Sequence, residues 1–229
     1  MNPPTYNALT AEAATVAAPM KLAILGATGS VGHELVTQAL AAGHEVTALV
    51  RAQPRPGEID DRVALVIGEA TSADAVKRAV EGRDAVLSAL GHAKGGPEDL
   101  LAQVSSNLIA AMQADGVSRL VVLSSSAVVD AADRPSLLYR AAGVLLRAVM
   151  PRVVRDHRKQ ARLIEQSRLA WTIVRGPIVF TDGPRTRVSH AGPIGRDSGP
   201  RVSRADLADF MLASATDGGF VRMKPLVSQ

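Results

Sequence analysis

The sequence predicts a single α/β domain built on a doubly wound parallel sheet. Its 229 residues suffice for one such domain with a full core, and 47% apolar against 21% charged residues is the balance of a folded globular protein. Short apolar runs rich in β-branched residues alternate along the chain with longer stretches of helical spacing. Because continuous apolar strands are typical of sheets buried on both faces, this alternation predicts parallel strands with helices on either side.

The alternation assigns the elements in chain order. The predicted strands are residues 21–25, 45–50, 63–67, 84–89, 119–123 and 171–174. The predicted helices are residues 31–42, 73–80, 100–114, 154–167 and 204–215. Gly43 and Gly116 follow two of these helices, where glycine takes the left-handed position at little cost. Ser203, with Asp206 three residues later, is expected to cap the last helix.

Two segments fall outside this alternation. Residues 1–19 lack the basic start and the long apolar stretch of a signal peptide, so they predict a flexible N-terminal extension. Residues 176–200 are dense in Gly, Pro, Arg and Ser and predict a long loop. Since loops of that length in compact domains often serve as lids or binding loops, we expect it to be the substrate loop.

Composition excludes several classes of function. The absence of cysteine removes disulfides and thiolate metal sites and fits a reducing cytoplasm, and no histidine pair has the spacing of a metal site. No apolar run reaches the roughly 20 residues of a membrane span. The net charge of +4 comes with only 3% aromatic residues and no recognition motif, which argues against nucleic acid. A solvated helix face or a nearby anionic cofactor accounts for the basic residues crowded at 147, 152, 155, 158, 159, 162 and 168.

Glycines follow the first strand at even spacing in the stretch KLAILGATGSVG. Gly26 suits the tight turn, Gly29 a close approach of the backbone to a phosphate, and Gly32 close packing of the helix on the sheet. The first helical turn offers unpaired N–H groups to a pyrophosphate, so the intervening Thr28, Ser30 and Val31 are also expected at the cofactor. Residues 20–229 are therefore predicted to form a Rossmann-like domain that binds NAD(P).

The second strand indicates which dinucleotide binds. An NAD site usually presents Asp or Glu to the ribose there, whereas this chain presents Arg51. A guanidinium holds a 2′-phosphate and cannot accept a hydrogen bond from a ribose hydroxyl, which favours NADPH. Glu69, after the third strand, is expected near the adenine. Leu90, Gly91 and His92, after the fourth, are expected near the ribose and the nicotinamide.

The chain resembles the atypical short-chain dehydrogenase/reductases from about residue 20 onward. The residues that carry the likeness are GATGSVG at 26–32, DAVLSALG at 84–91, RLVVLSSSAV at 119–128, SRLAWTIVRGP at 167–177 and RVSRADLADFMLAS at 201–214. LVR at 49–51, Asp156-His157 and GPRVSRADLADFML at 199–212 make it most similar to the biliverdin reductase B/NADPH-flavin reductase subfamily. Ile178 departs from that pattern, at a position where a member of the subfamily carries histidine.

The proton donor of the ordinary short-chain enzymes is absent from the sequence. Those enzymes use a Tyr-x-x-x-Lys pair, but Tyr139 is followed by Gly143, and alignment on Ser167 and Trp171 places Val153 and His157 in the two positions. Reduction of a carbonyl needs a proton donor, whereas hydride transfer to a flavin, quinone or bilin can end on a delocalised anion that water protonates. The resemblance thus implies an NADPH-dependent reductase of flat conjugated acceptors.

Three residues are candidates for catalysis. Ser124 and Ser125 leave the fifth strand at the carboxyl edge of the sheet, where a hydroxyl can touch the nicotinamide amide or the acceptor, although both can equally cap the strand end. His157 can donate a proton or a hydrogen bond, or can be an exposed helix histidine. Pro177 is expected to flank the nicotinamide, and His92 is a weaker candidate for proton donation.

Two other functions remain open beside the reductase of conjugated acceptors. One is a reductase or epimerase with a dedicated metabolite, in which His157 or the 176–200 loop supplies the acid. The other is a non-enzymatic NADP-binding redox sensor. We expect a cytoplasmic monomer or weak homodimer, because the sequence suggests no long exposed apolar helix face.

Overall fold

The computed structural model describes residues 18–92, 96–186 and 188–229. Its strands are β1 Lys21–Leu25, β2 Glu45–Val50, β3 Ala64–Ile67, β4 Ala85–Ser88, β5 Arg119–Ser125, β6 Ala170–Gly176, β7 Val179–Thr181, β8 His190–Gly192, β9 Arg201–Ser203 and β10 Leu226–Ser228. Its helices are α1 Ser30–Ala41, α2 Ala73–Val80, α3 Leu100–Asp115, α4 Leu137–Val149, α5 Pro151–Gln166 and α6 Arg204–Thr216.

Eight strands form the central sheet in the order β3-β2-β1-β4-β5-β6-β10-β8. The strands from β3 to β10 in this order pair in parallel, and β8 pairs antiparallel with β10 at the edge. The strand order reverses between β1 and β4, and a ligand binds in the crevice at such a switch point, beyond the carboxyl ends of the strands. The predicted doubly wound α/β fold is confirmed.

The core lies on both faces of the sheet. One cluster joins α1 and α6 to the sheet through residues such as Leu35 and Phe210, and the other joins α2, α3 and α5 through Val76, Leu108 and Ile164. Leu22 to Leu25 of β1 are fully buried, as expected for a strand covered on both sides. The helix ends follow the predicted chemistry: Gly43 and Gly116 have φ of +83° and +75°, and Ser203 Oγ accepts from Asp206 N at 3.0 Å.

The structure corrects the prediction that residues 176–200 form one long loop. The segment contains β7, which pairs with β9, and β8, which joins the central sheet against β10. Each of these strands is only three residues long, so pairing with distant partners rather than local pattern determines them. β10 was not predicted for the same reason. Residues 1–17 of the predicted N-terminal extension lie outside the described residues.

Helix α4 was also missed, and it contradicts the expectation that no helix would expose an apolar face. Its sequence LLYRAAGVLLRAV carries apolar residues at helical spacing, but the face that they form lies in solvent instead of in the core. Tyr139 is its buried residue, while Leu137 is 81% and Leu145 64% exposed. Within the described part of the chain, no helix has the length and hydrophobicity that crossing a bilayer requires.

Candidate functional site

The turn from β1 into α1 is built so tightly that two of its glycines have no room for a side chain. Gly26 has φ of +83°, and a Cβ there would lie 2.9 Å from the carbonyl carbon of Ala89. A Cβ at Gly32 would lie 1.9 Å from the Gly26 carbonyl oxygen. These two glycines therefore allow α1 to start directly above the turn and the turn to lie against the end of β4.

The N-terminus of α1 faces solvent and has no side-chain cap. Gly29 occupies the cap position, and Thr28, Gly29 and Ser30 are exposed. The first N–H groups of a helix have no partner within it and favour an anion. Val31, predicted at the cofactor, has its side chain in the core at 7% exposure, so it can contact a phosphate only through its backbone.

An arginine that the sequence reasoning missed lies beside this helix start. Arg204 Nε donates to Ser30 Oγ at 3.1 Å, and its guanidinium also pairs with Asp182. The contact spans most of the chain, from α6 to α1, so no local signal reveals it. Arg204 adds a positive charge next to the predicted pyrophosphate position.

The predicted adenosine contacts are accessible. Arg51 follows β2 directly and is exposed, and no ion pair within the described residues engages it. Arg55, in contrast, lies 3.6 Å from Glu58. Glu69 is exposed after β3, which leaves it free to contact a nucleotide edge.

Ser124 and His157, predicted as separate candidates, form a hydrogen-bonded pair. Ser124 Oγ lies 3.0 Å from His157 Nδ1, which joins the carboxyl end of β5 to α5. Ser125 points to a different role, since its Oγ accepts from Ala127 N at 3.2 Å and so caps the strand end. Of the two serines, Ser124 is the one that contacts another candidate.

Burial controls the ionisation of His157. Burial lowers the pKa of the imidazole, the nearby His92 lowers it too, and a hydrogen bond with Gln160 raises it, so that the net pKa is about 4. His157 is therefore neutral at physiological pH. In that state it can donate or accept a hydrogen bond, but it does not carry a proton for transfer as an imidazolium.

His92 approaches the same cluster from the end of β4. Its ring lies 6.0 Å from the His157 ring, centroid to centroid, and its Nε2 lies 3.1 Å from Asp156 Oδ2, although it is not aligned for a hydrogen bond. The Asp156 carboxylate also accepts from the backbone N–H groups of Leu101 and Ala102 at 2.8 and 3.0 Å. Asp156, on α5, thus caps the first turn of α3 through its side chain and also contacts His92 at the end of β4.

The remaining predicted residues surround this cluster at the same edge. Leu90 packs partly on the core beneath α3, Gly91 is exposed, and Pro177 is buried immediately after β6. Tyr139 is not available as an acid, because its hydroxyl donates to the Gly199 carbonyl at 2.6 Å and burial raises its pKa to about 12.

A buried ion pair lies near the carboxyl edge of the sheet. Arg175 of β6 is fully buried, and its two terminal nitrogens donate to the Asp133 carboxylate at 2.7 and 3.0 Å. Asp133 also accepts from Ile194 N at 2.8 Å. Burial raises the pKa of Asp133, but the hydrogen bonds from Arg175, Asp130 and Ile194 outweigh it and keep that pKa below its usual value. Asp133, which follows β5, is therefore bonded both to β6 through Arg175 and to the segment after β8 through Ile194.

Comparison with known proteins identifies the family. A family model described as NAD(P)H-binding matches residues 26–218, which include the glycine turn, the Ser124–His157 pair and Arg204. The chain belongs to this NAD(P)H-binding family. The match confirms that the chain belongs with proteins that hold a nicotinamide dinucleotide, as the glycine pattern predicted.

One curated relative of the chain is a reductase. A 3-diazoavenalumate denitrifying reductase from a Streptomyces species is 32% identical over 188 residues, which are 76% of this chain and 60% of the relative. The chain thus spans about three fifths of the length of that curated protein.

Solved structures share the fold. A short-chain dehydrogenase/reductase from Veillonella parvula in complex with NADP is 18% identical with a TM-score of 0.71, covering 92% of this chain and 94% of its own. An anaerobilin reductase from Escherichia coli is 20% identical with a TM-score of 0.72, covering 91% and 96%. These likenesses confirm the Rossmann-like architecture of the chain.

Proposed function

We propose that the protein is an NADPH-dependent oxidoreductase that transfers a hydride to a flat conjugated acceptor of the flavin, quinone or bilin type. The observation that carries the proposal is the pairing of a glycine turn suited to the cofactor with a neutral His157, at a site whose described residues include no Tyr-x-x-x-Lys pair. His157 occupies the lysine position of the ordinary pair, yet it is neutral and bonded to Ser124. Tyr139 is the one tyrosine within the described residues, and its hydroxyl is bonded to Gly199.

The residues present fit the dinucleotide. The bare backbone at Gly26–Gly32 and the uncapped start of α1 suit a pyrophosphate, with Arg204 adding charge beside it. Arg51 suits the 2′-phosphate, which favours NADPH over NADH, and Glu69 lies where the adenine is expected. When bound, the cofactor supplies a hydride.

We assign the acceptor side of the site from the hydrogen-bonding capacity of its side chains. Ser124, positioned by His157, can donate a hydrogen bond to a carbonyl of the nicotinamide amide or of the acceptor. His92, Gly91 and Leu90 line the end of β4, and Pro177 lines the end of β6. A conjugated acceptor can delocalise the charge that arrives with the hydride and take its proton from water, so no charged acid is needed.

The named relatives are consistent with this proposal. The Streptomyces relative is a reductase whose name specifies a diazo compound, and the Escherichia coli neighbour is a reductase of a bilin-type molecule. Both act on small molecules, so we propose a small-molecule acceptor here as well. We also propose a cytoplasmic location, on the absence of cysteine from the chain.

One observation favours a second candidate function. The neutral His157 removes the charged form of one predicted catalytic group, which would suit an NADP-binding redox sensor. A dedicated metabolite reductase or epimerase would instead need an acid, for which His92 beside Asp156 is the available group.

Anaerobic steady-state oxidation of NADPH separates these functions. FMN, riboflavin and a soluble quinone should each support turnover by the full chain. Ser124→Ala should lower kcat several-fold, whereas Ser125→Ala, the matched control, should leave it nearly unchanged. Turnover with a single metabolite would favour the dedicated enzyme, and tight NADP binding without turnover would favour the sensor; either result overturns the proposal.

A further inference from the structure

Helix α4 presents an apolar face to solvent. The members of this α4 face recur at helical spacing and are Leu137, Leu138, Ala141, Val144, Leu145, Ala148 and Val149. Five of them are large: Leu137, Leu138, Val144, Leu145 and Val149 are 81%, 56%, 59%, 64% and 68% exposed. The helix contains no acidic residue. Contiguous apolar surface of this kind marks an interaction site in a folded protein.

A basic groove runs beside the α4 face, between α4 and α5. It encloses about 360 Å³ and is lined by Arg147, Pro151, Val154, Arg155, Arg158, Lys159 and Arg162. No carboxylate lines it. Arg158 donates to the Ala127 carbonyl, and none of the five cations forms an ion pair within residues 18–92, 96–186 and 188–229.

Acidic residues near the groove already have partners. Arg155 and Lys159 also border a smaller opening that includes Glu98, Asp99 and Asp156. Glu98 pairs with Arg152 at 2.7 Å, Asp99 accepts from Gln103, and Asp156 accepts two backbone N–H groups of α3. The positive charge of the groove is therefore not neutralised by the protein itself.

The combination of an apolar helix face and an adjacent row of unpaired cations is the pattern of a segment that lies in the surface of an anionic membrane. A second copy docked by the same face about a two-fold axis would place two basic grooves side by side with no carboxylate between them. Charge therefore favours a lipid surface over a symmetric dimer.

We propose that α4 docks the protein on anionic lipid bilayers, with the α4 face among the upper acyl chains and the basic groove on the headgroups. α5 begins immediately after α4 and carries His157, so docking would bring the predicted acceptor site close to the lipid surface. The inference does not depend on which acceptor is reduced, and a membrane contact goes beyond the proposed reductase activity.

Vesicle flotation with the full chain tests this surface. The protein should float with phosphatidylcholine vesicles that contain roughly one third phosphatidylglycerol, and much less with pure phosphatidylcholine. Raising the salt concentration should weaken flotation, because the charge contribution is screened. Equal flotation with both vesicles, or with neither, would overturn the proposal.

Matched variants separate the two components of the surface. Arg155→Ser/Arg162→Ser should lower the partition coefficient on the order of tenfold or more, since each basic residue near an anionic surface contributes about fivefold. Lys77→Ser/Arg168→Ser removes the same charge from exposed positions outside the groove and should change it little. Leu145→Gln should likewise reduce flotation on the order of tenfold, whereas Ile67→Gln, an exposed apolar position on β3, should not.

Two controls keep the result interpretable. All four variants should keep the thermal shift that NADPH gives the wild type, because none of the changed residues is among those predicted to bind the cofactor. Light scattering tests whether a second copy of the chain covers the α4 face instead. The lipid assignment would be refuted if the wild type were a dimer that does not bind vesicles and Leu145→Gln dissociated that dimer.

Discussion

At the scale of single residues, the environment of His157 determines what the site can do. Its Nδ1 is bonded to Ser124, and burial lowers its pKa to about 4. A neutral imidazole orients the serine hydroxyl, in the way that supporting groups fix a hydrogen-bond donor for chemistry. We propose that His157, a possible acid on the sequence alone, acts as a positioning residue for Ser124.

The lowered pKa of His157 makes stability depend on pH. The unfolded chain takes up the proton near pH 6.5, whereas the folded protein takes it up only near pH 4, so stability is fully present above about pH 6.5 and falls as the pH drops toward 4. The loss should be on the order of 3 kcal/mol in the free energy of unfolding. Urea unfolding of wild type and His157→Gln at both ends of this window measures it.

The comparison with His157→Gln isolates this one group. The variant should lose less stability over the window than the wild type, while His33→Gln, at an exposed position, should follow the wild type. Parallel curves for wild type and His157→Gln would show that the histidine is not buried as a neutral group.

We propose that Arg51 determines the preference for NADPH over NADH. Arg51→Glu should raise the KM for NADPH far more than the KM for NADH. The difference between the two effects should correspond to roughly 1–3 kcal/mol, the cost of a lost charged hydrogen bond. Arg55→Glu is the matched control, since Arg55 lies nearby but is engaged with Glu58. Steady-state kinetics with both dinucleotides measure the ratio, and an unchanged preference in Arg51→Glu would refute the assignment.

At the scale of elements, we propose that the backbone at the start of α1 binds the phosphates of the cofactor. Gly29 has an ordinary extended φ of −81°, and a Cβ there would lie 3.2 Å from the Gly26 carbonyl oxygen. The fold can tolerate alanine at this position with a small adjustment. A methyl group on the exposed side of the turn would, however, keep a phosphate from approaching the backbone.

Gly29→Ala should therefore weaken NADPH binding about tenfold, or ~1.4 kcal/mol, with little change in the melting temperature of the free protein. Gly143→Ala provides the matched control, because a Cβ there meets open space within α4. It should leave the affinity unchanged and raise stability by about 0.5–1 kcal/mol. Calorimetric titration measures both, and equal affinities for the two variants would remove Gly29 from the phosphate site.

The Arg175–Asp133 pair contributes to the stability of the sheet edge. Asp133→Ala would leave the fully buried Arg175 guanidinium without its carboxylate, which should cost about 3–5 kcal/mol. Asp60→Ala removes a carboxylate from an exposed pair with Arg62 at 2.8 Å and should have a small effect. Thermal or urea unfolding distinguishes them, and similar losses in both variants would contradict a structural role for the buried pair.

The elements also show where prediction from the sequence succeeded and where it failed. The residue bounds of α2 matched the prediction, because Ser72 caps a helix whose buried and exposed faces are distinct. β7, β8, β9 and β10 were missed since three residues carry no periodic signal, and α4 was missed although its apolar residues recur at helical spacing. Local pattern predicts long elements that bury one face, and tertiary pairing determines the others.

At the scale of the whole molecule, the sheet topology brings the candidate residues together. Gly26, His92, Ser124 and Pro177 lie at or just beyond the carboxyl ends of four strands that are adjacent in the order β1-β4-β5-β6, so their convergence follows from parallel pairing and could be predicted. Which side chains touch could not, because the Ser124–His157, Asp156–Leu101 and Arg204–Ser30 contacts depend on how α5 and α6 pack. The position of the site at the carboxyl edge could be predicted, but the side-chain contacts within it could not.

Calorimetric titration of the full chain with NADPH, and in parallel with NADH, tests the central proposition that a nucleotide diphosphate binds at the β1–α1 turn. We predict measurable heat and thermal protection, with NADPH binding about tenfold or more tightly than NADH. Absence of both heat and protection at millimolar NADPH would contradict the account.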